Sequence, residues 1–211
     1  MIADRTPGAV WSTMAQGNDR FVAGAPRHPH QDAERRTEVS AHQRPDAALF
    51  GCSDSRIAAE IIFDMGLGDL FVVRNAGQIV SDSVIGSLEY AVAMLDVPLI
   101  VVLAHDECGA VRAAIDQDGP DAPALPASIQ SLVSQITPAV HRVRRITGAS
   151  STDTIEPFDV GREHLRATVG ALLSRSELIS EAVADGRLAI VGANYQLHDG
   201  RVNSDAVVGV V

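Results

Sequence analysis

The two cysteines of the chain each follow an apolar run, and a histidine lies three residues before the second one. Cys52 comes directly after the run at 47–51, and His105 and Cys108 follow the run at 99–104. Such runs are typical of buried strands, and α/β proteins place their chemistry at the carboxyl ends of these strands. Two thiolates and an imidazole suit zinc, and three protein ligands leave a fourth position open for catalysis. The spacing predicts a catalytic zinc site; spacing alone also allows a pair of ordinary buried thiols.

Asp54 and Arg56 lie two and four residues after Cys52. In a tight loop this spacing lets the guanidinium bind the carboxylate through two parallel hydrogen bonds. A carboxylate held in this way stays ionised and is able to accept a hydrogen bond from zinc-bound hydroxide, which orients the hydroxide toward a substrate. The alternative is a salt bridge that only stabilises the loop.

The pattern Cys52-x-Asp54-x-Arg56 followed by His105-x-x-Cys108 resembles the zinc signature of the β-class carbonic anhydrases. Three further blocks are similar to that family, at 17–21, 71–77 and 86–92, and the similarity runs from about residue 10 to about residue 200. The resemblance implies one Zn²⁺ per chain, held by the two cysteines and the histidine. It also implies the reversible hydration of carbon dioxide to bicarbonate and a proton, by attack of zinc-bound hydroxide.

The resemblance implies a substrate pocket that spacing alone does not reveal. Gln43 matches a glutamine that hydrogen-bonds the substrate, and the pocket is lined by Phe71, Ala76 and Tyr90, some of them across a subunit interface. Without the resemblance, Gln43 is interpreted as a solvated residue at a helix end. The other three are interpreted as core residues.

Some members of the family close the site by moving the aspartate onto zinc, so the resemblance makes Asp54 a metal ligand in a closed state. Bicarbonate bound in a nearby pocket assists this movement, and three residues match that pocket: Gly51, Arg74 and Tyr195. Leu49 departs from the family pattern, which has a tryptophan at this position. The sequence therefore leaves bicarbonate regulation open.

Two other functions fit the same signature. Relatives on this scaffold hydrolyse carbon disulfide or carbonyl sulfide, and the width of the pocket decides between these substrates and carbon dioxide. In the second alternative, Cys52, Asp54, His105 and Cys108 form a permanently closed, non-catalytic zinc site. Arg56 argues against that site, because a structural zinc site needs no arginine to hold Asp54 away from the metal.

The overall composition predicts a cytoplasmic protein that binds neither nucleic acid nor membranes. The formal net charge is -10 and the pI is near 5.0, a balance that repels a phosphate backbone. No run approaches the ~20 apolar residues that cross a bilayer. The first seven residues lack the apolar stretch of a secretory signal, so we expect reduced, metal-binding thiols.

The order of predicted elements indicates one α/β domain over residues 1–211. Strands predicted at 47–51, 69–74, 98–104 and 188–193 alternate with helices, which favours a mainly parallel sheet with flanking helices on both faces. The segments at 195–197 and 206–210 predict an antiparallel edge strand near the C-terminus, turned at Asp199 and Gly200.

Two helices predicted at 7–23 and 31–43, separated by prolines, form an N-terminal helical arm over residues 1–43. In the β-class family the corresponding helices pack on a neighbouring subunit. The resemblance therefore implies a dimerisation arm, and self-association as a homodimer or homotetramer.

Overall fold

The computed structural model describes residues 5–211, which form one five-stranded sheet. Its strands are β1 (Ala47–Cys52), β2 (Leu70–Asn75), β3 (Leu99–His105), β4 (Ala189–Tyr195) and β5 (Val202–Val208). The strand order is β2-β1-β3-β4-β5, with β5 antiparallel to β4 and the other pairs parallel. The predicted α/β class, parallel sheet and antiparallel edge are confirmed. The first residues of the predicted domain and arm, Met1–Asp4, lie outside the described residues.

Helices cover both faces of this sheet. They are α1 (Pro7–Val22), α2 (Ala33–Glu38), α3 (Ala59–Ile62), α4 (Asp82–Leu95), α5 (Gly109–Gln117), α6 (Ala127–Val133), α7 (Thr137–Thr147), α8 (Pro157–Arg175) and α9 (Glu177–Ala184), with a 3₁₀ turn at Thr152–Thr154. Among residues 5–211, no helix combines the length and the apolar character that crossing a membrane requires.

The buried strands alternate their side chains between two apolar cores. Leu49 of β1 and Val101 of β3 point into a core completed by α1 and α3. Phe50 and Val102, one residue further along each strand, point into a core completed by α4, α8 and α9. Because β1 and β3 are buried along their whole length, they read in the sequence as continuous apolar runs.

Helix α1 packs on the domain of its own chain. Val10 and Met14 are fully buried. The buried Asn18 side chain donates to the carbonyls of Ile62 (3.1 Å) and Gly200 (2.8 Å) and accepts from the N–H of Val202 (2.9 Å). The described part of the predicted arm is therefore joined to the sheet by apolar contacts and by a buried polar side chain.

Two elements differ in extent from their prediction. The helix predicted at 31–43 covers only α2, because Arg35 is its only buried residue and a helix with no apolar face gains little from packing. Strand β5 begins at Val202 rather than at 206. The next three residues, Asn203, Ser204 and Asp205, are polar because β5 lies at the edge of the sheet, where one side faces solvent.

Candidate metal centre

The two cysteines and the histidine meet at the carboxyl edge of the sheet. Cys52 is the last residue of β1 and His105 is the last residue of β3, and these strands are parallel neighbours. Cys108 immediately precedes α5. The three side-chain donor atoms all lie within 4.8 Å of one another, and all three residues are buried. The fold therefore brings together the three residues that the motif spacing predicts to form a metal-binding cluster.

The imidazole of His105 is oriented as a metal ligand. Its Nδ1 lies 2.6 Å from the backbone carbonyl of Asp106, and a carbonyl only accepts, so Nδ1 carries the hydrogen. The other nitrogen, Nε2, then presents a lone pair, and it is buried without a hydrogen-bond partner among the described residues. A ligating histidine is held in this way, with its second nitrogen bonded to a carbonyl.

Both cysteines are buried free thiols, with no disulfide between them. The Cys108 thiol donates a hydrogen bond to Cys52, which lowers the pKa of Cys52 to about 4 against the opposing effect of burial. The same bond, together with burial, raises the pKa of Cys108. Burial lowers the pKa of His105, but the neighbouring Cys52 thiolate outweighs it, so the pKa is raised. A divalent cation would replace the thiol proton and bind all three clustered donor atoms, so the residues fit zinc.

Asp54 and Arg56 form the bidentate pair that their spacing suggests. Arg56 Nε donates to Asp54 Oδ1 (2.9 Å), Nη2 donates to Oδ2 (2.8 Å), and the backbone N–H of Arg56 also donates to Oδ1 (2.9 Å). These bonds hold the pKa of Asp54 well below its usual range, although burial opposes them. In the described chain, the metal-binding group contains Cys52, His105 and Cys108 but not Asp54.

Arg74 holds the loop that carries this pair. Its Nε donates to the carbonyl of Cys52 (2.9 Å) and its Nη2 donates to the carbonyl of Asp54 (2.7 Å). Gly51 is buried and lies opposite Arg74 in the register of β1 and β2. Tyr195 is buried opposite His105 in the register of β3 and β4, and burial raises the pKa of its hydroxyl.

Of the residues expected to line a substrate pocket, Phe71 lies on β2, Ala76 directly follows β2 and Tyr90 lies on α4. The Phe71 and Tyr90 rings are 6.2 Å apart between centroids, and Tyr90 is 46% exposed. Ala76 is also exposed, so neither Ala76 nor Tyr90 is a core residue of this chain. Gln43 is exposed in the segment between α2 and β1, beyond the helix end.

Three residues around the cluster were not identified as functional from the sequence. Asp106 supplies the carbonyl for His105, and its own carboxylate accepts from the N–H of Leu197 (2.8 Å). Gly77 donates its N–H to Cys52 Sγ (3.4 Å), and His164 contacts the Gly77 carbonyl. The one available signal was His164, a polar residue among the apolar positions of α8.

Residues 47–202 match the family model described as carbonic anhydrase. Carbonic anhydrase 2 of Mycobacterium tuberculosis is 50% identical over 198 residues, which cover 92% of this chain and 91% of that protein. The carbonic anhydrase of Mycolicibacterium smegmatis is 47% identical over 204 residues, covering 96% and 95% of the two chains.

Solved structures show the same fold. A β-carbonic anhydrase of Sordaria macrospora, described as tetrameric, aligns with a TM-score of 0.73 at 24% identity, covering 92% of this chain and 97% of that one. A Coccomyxa β-carbonic anhydrase aligns with a TM-score of 0.71 at 24% identity, covering 98% and 88%. With the family model and the sequence relatives, these findings show that the chain belongs to the β-class carbonic anhydrases.

Proposed function

We propose that this chain catalyses the reversible hydration of carbon dioxide to bicarbonate and a proton, with one zinc ion held by Cys52, His105 and Cys108. The observation that carries the proposal is the cluster itself. Its three donor atoms lie within 4.8 Å of one another, and one of them, His105 Nε2, has no protein partner in the described chain. The close sequence relatives, all named carbonic anhydrases, support the same reaction.

A zinc ion held here acts as a Lewis acid that lowers the pKa of water from 15.7 to about 7. The chain's own residues then orient the reactants. Arg56 keeps the Asp54 carboxylate ionised and turned away from the metal ligands, and a carboxylate has acceptor sites beyond those that Arg56 occupies. We assign to Asp54 the role of orienting the attacking oxygen. We assign to Arg56 the role of holding the Asp54 carboxylate in place.

The position of Asp54 favours a catalytic site over a permanently closed one. A closed site requires the carboxylate to be a fourth ligand, whereas Arg56 engages both of its oxygens. We retain the closed arrangement, with Asp54 on the metal, as a second state of the same loop.

Rates measured with carbon dioxide, carbonyl sulfide and carbon disulfide on one sample distinguish the hydratase from a hydrolase of the sulfur compounds.

The decisive experiment measures zinc content and carbon dioxide hydration on the same preparation. Cys108→Ser is expected to lose both, because the thiolate is the softer and stronger zinc ligand. Ser53→Ala, an exposed change next to Cys52, is the matched control and keeps both. Full activity in metal-free wild-type protein would disprove the proposal.

A second experiment tests the Asp54–Arg56 pair. Arg56→Ala is expected to retain zinc and lose at least about tenfold in hydration rate, since Asp54 is then free to occupy the metal's open position. Arg36→Ala, an exposed arginine in α2, is the control for the loss of a positive charge. Equal activity in the two variants would remove Arg56 from the mechanism.

We further propose that Gln43, Phe71, Ala76 and Tyr90 form the substrate pocket together with a second subunit. Tyr90 (46%) and Met94 (69%) lie on one face of α4 and are strongly exposed, which supports a partner that covers them. The Sordaria relative is described as tetrameric. In this proposal the chain assembles as a dimer or a dimer of dimers, and the arm over residues 1–43 contributes to the contact.

Light scattering after size-exclusion chromatography tests the assembly. Met94→Glu is expected to dissociate it, whereas Ile146→Glu, at a 70% exposed position of α7, leaves it intact. Wild-type protein that is monomeric at micromolar concentration contradicts the proposal.

A regulatory bicarbonate site at Gly51, Arg74 and Tyr195, and a cytoplasmic location, complete the proposal. The exposed Arg74 guanidinium at the site supports anion binding, and a titration of activity with bicarbonate at fixed pH tests it.

For the cytoplasmic location, two unpaired cysteines as metal ligands fit a reducing compartment, and fractionation of the source cells tests this.

A further inference from the structure

The loop between β2 and α4 contacts the metal-binding thiolate through its backbone. The N–H of Gly77 donates to Cys52 Sγ at 3.4 Å, in a buried position. Hydrogen bonds to a thiolate favour its charged form, and only the charged form binds zinc. The direction of this one N–H therefore affects how well Cys52 serves as a ligand.

Gly77 adopts a backbone conformation that a glycine reaches easily but that no side chain of its own holds in place. Its φ is +78°, and a Cβ at this position would lie 2.9 Å from the Cβ of Ala110, so the site requires glycine. Glycine is also the residue with the greatest backbone freedom. One end of the loop is fixed by Asn75, whose side chain bonds both the N–H and the carbonyl of Ile79, each at 2.7 Å. The glycine itself needs another restraint.

His164 supplies that restraint from the opposite side of the loop. It lies on α8, is 7% exposed, and its Nε2 is 2.8 Å from the Gly77 carbonyl. A carbonyl only accepts, so Nε2 carries the hydrogen. Burial lowers the pKa of His164, although the Gly77 bond opposes this, so the ring is neutral. The ring also lines a cavity of about 220 Å³ bounded by Ile79 and Thr168.

We infer that His164 is a positioning residue for the metal centre: by holding the Gly77 carbonyl, it keeps the Gly77 N–H directed at Cys52 Sγ and so strengthens zinc binding. The inference rests on the proposed function, because it takes Cys52 to be a zinc ligand. Arg175, further along α8, bonds the carbonyl of Val80 in the same loop, but His164 is the residue of α8 that bonds the Gly77 carbonyl itself.

The test compares zinc affinity, measured by competition with a chelator, in three variants. His164→Leu removes the donor and is expected to weaken zinc binding by about tenfold. His164→Gln retains an N–H donor and is expected to stay within about threefold of wild type. Thr168→Val, one turn along α8, removes a buried hydroxyl that donates to the His164 carbonyl (2.9 Å), and it is expected to leave zinc affinity unchanged.

Two spectroscopic measurements accompany the affinities. In the cobalt-substituted protein, the thiolate-to-metal absorption band is expected to shift in His164→Leu and not in Thr168→Val. In wild-type protein loaded with ¹¹³Cd, the Gly77 amide proton is expected to show coupling to the metal through the sulfur. This second measurement needs no variant and tests the Gly77–Cys52 bond on which the role of His164 depends, so a negative result overturns the inference even if His164→Leu does not fold.

The outcomes separate the two proposals. Wild-type protein that binds no zinc overturns the proposed function. If wild-type protein binds zinc, two results overturn the role of His164 alone. One is a zinc affinity of His164→Leu equal to that of wild type, and the other is a loss of zinc affinity in Thr168→Val as large as that in His164→Leu. Absence of coupling at Gly77 in the cadmium protein overturns it as well, as does a loss in His164→Gln as large as that in His164→Leu.

Discussion

Replacing Gly77 by alanine perturbs the metal centre without touching a ligand. The added Cβ would lie 2.9 Å from the Ala110 Cβ and 3.2 Å from the Ile136 Cδ1, so neighbouring atoms must move. Such overpacking costs about 1–3 kcal/mol. The positive φ of +78° costs an alanine a further ~1–2 kcal/mol. Together these predict a loss of about 2–5 kcal/mol in the free energy of unfolding.

For a chain of this size each kcal/mol corresponds to about 2–4 °C, so the melting temperature should fall by about 4–20 °C. The measurement is thermal unfolding with excess chelator present, so that the effect of zinc binding on stability is excluded. Zinc retention of the folded variant, measured separately, should also fall, because the Gly77 N–H moves away from Cys52 Sγ.

The matched control is Gly170→Ala in the middle of α8, where an added Cβ meets no atom within 4 Å. It should stabilise the chain by about 0.5–1 kcal/mol, the opposite sign. If Gly77→Ala unfolds within about 2 °C of wild type and retains zinc equally well, the loop is not constrained as described.

Two further predictions concern the attachment of the N-terminal segment. Asn18→Leu leaves two carbonyls and one N–H without their partner and should lower the free energy of unfolding in urea by about 2–4 kcal/mol. The exposed Gln16→Ala is the control and should change this free energy by less than about 0.5 kcal/mol. Similar values for the two variants would contradict the contacts of Asn18. Burial alone would raise the pKa of Asp64, but the Arg27 N–H and the Arg20 guanidinium lower it. The stability that Asp64 contributes is therefore present above about pH 4 and lost as the pH falls below it. Asp64→Asn should flatten the dependence of unfolding free energy on pH in this acid range, and an unchanged slope would exclude the effect.

The metal cluster could be predicted because its signals are local. Cys52 and His105 end two continuous apolar runs, and parallel strands bring their carboxyl ends to one edge of a sheet. The contact between Asp54 and Arg56 followed in the same way from two positions in one short loop. The roles of these residues in the reaction stay predictions until the experiments above are done.

The residues that could not be predicted act across long distances in the chain. His164 lies on α8 and bonds Gly77, and the sequence carries no pattern that links a helix residue to a glycine carbonyl so far away. Asn18 lies in a block that resembles the family, yet its three bonds depend on how α1 crosses the sheet. The extent of α2 was overestimated because the sequence gives polar helices no packing signal.

The ligands of the metal centre are supplied by strands that are adjacent in the sheet but distant along the chain. During synthesis Cys52 leaves the ribosome long before His105 and Cys108, with the whole of β2 and α4 in between. The nascent chain therefore offers a single thiolate, and a complete zinc site exists only after β1 and β3 have paired. We therefore expect metal loading in this fold to follow the pairing of β1 with β3.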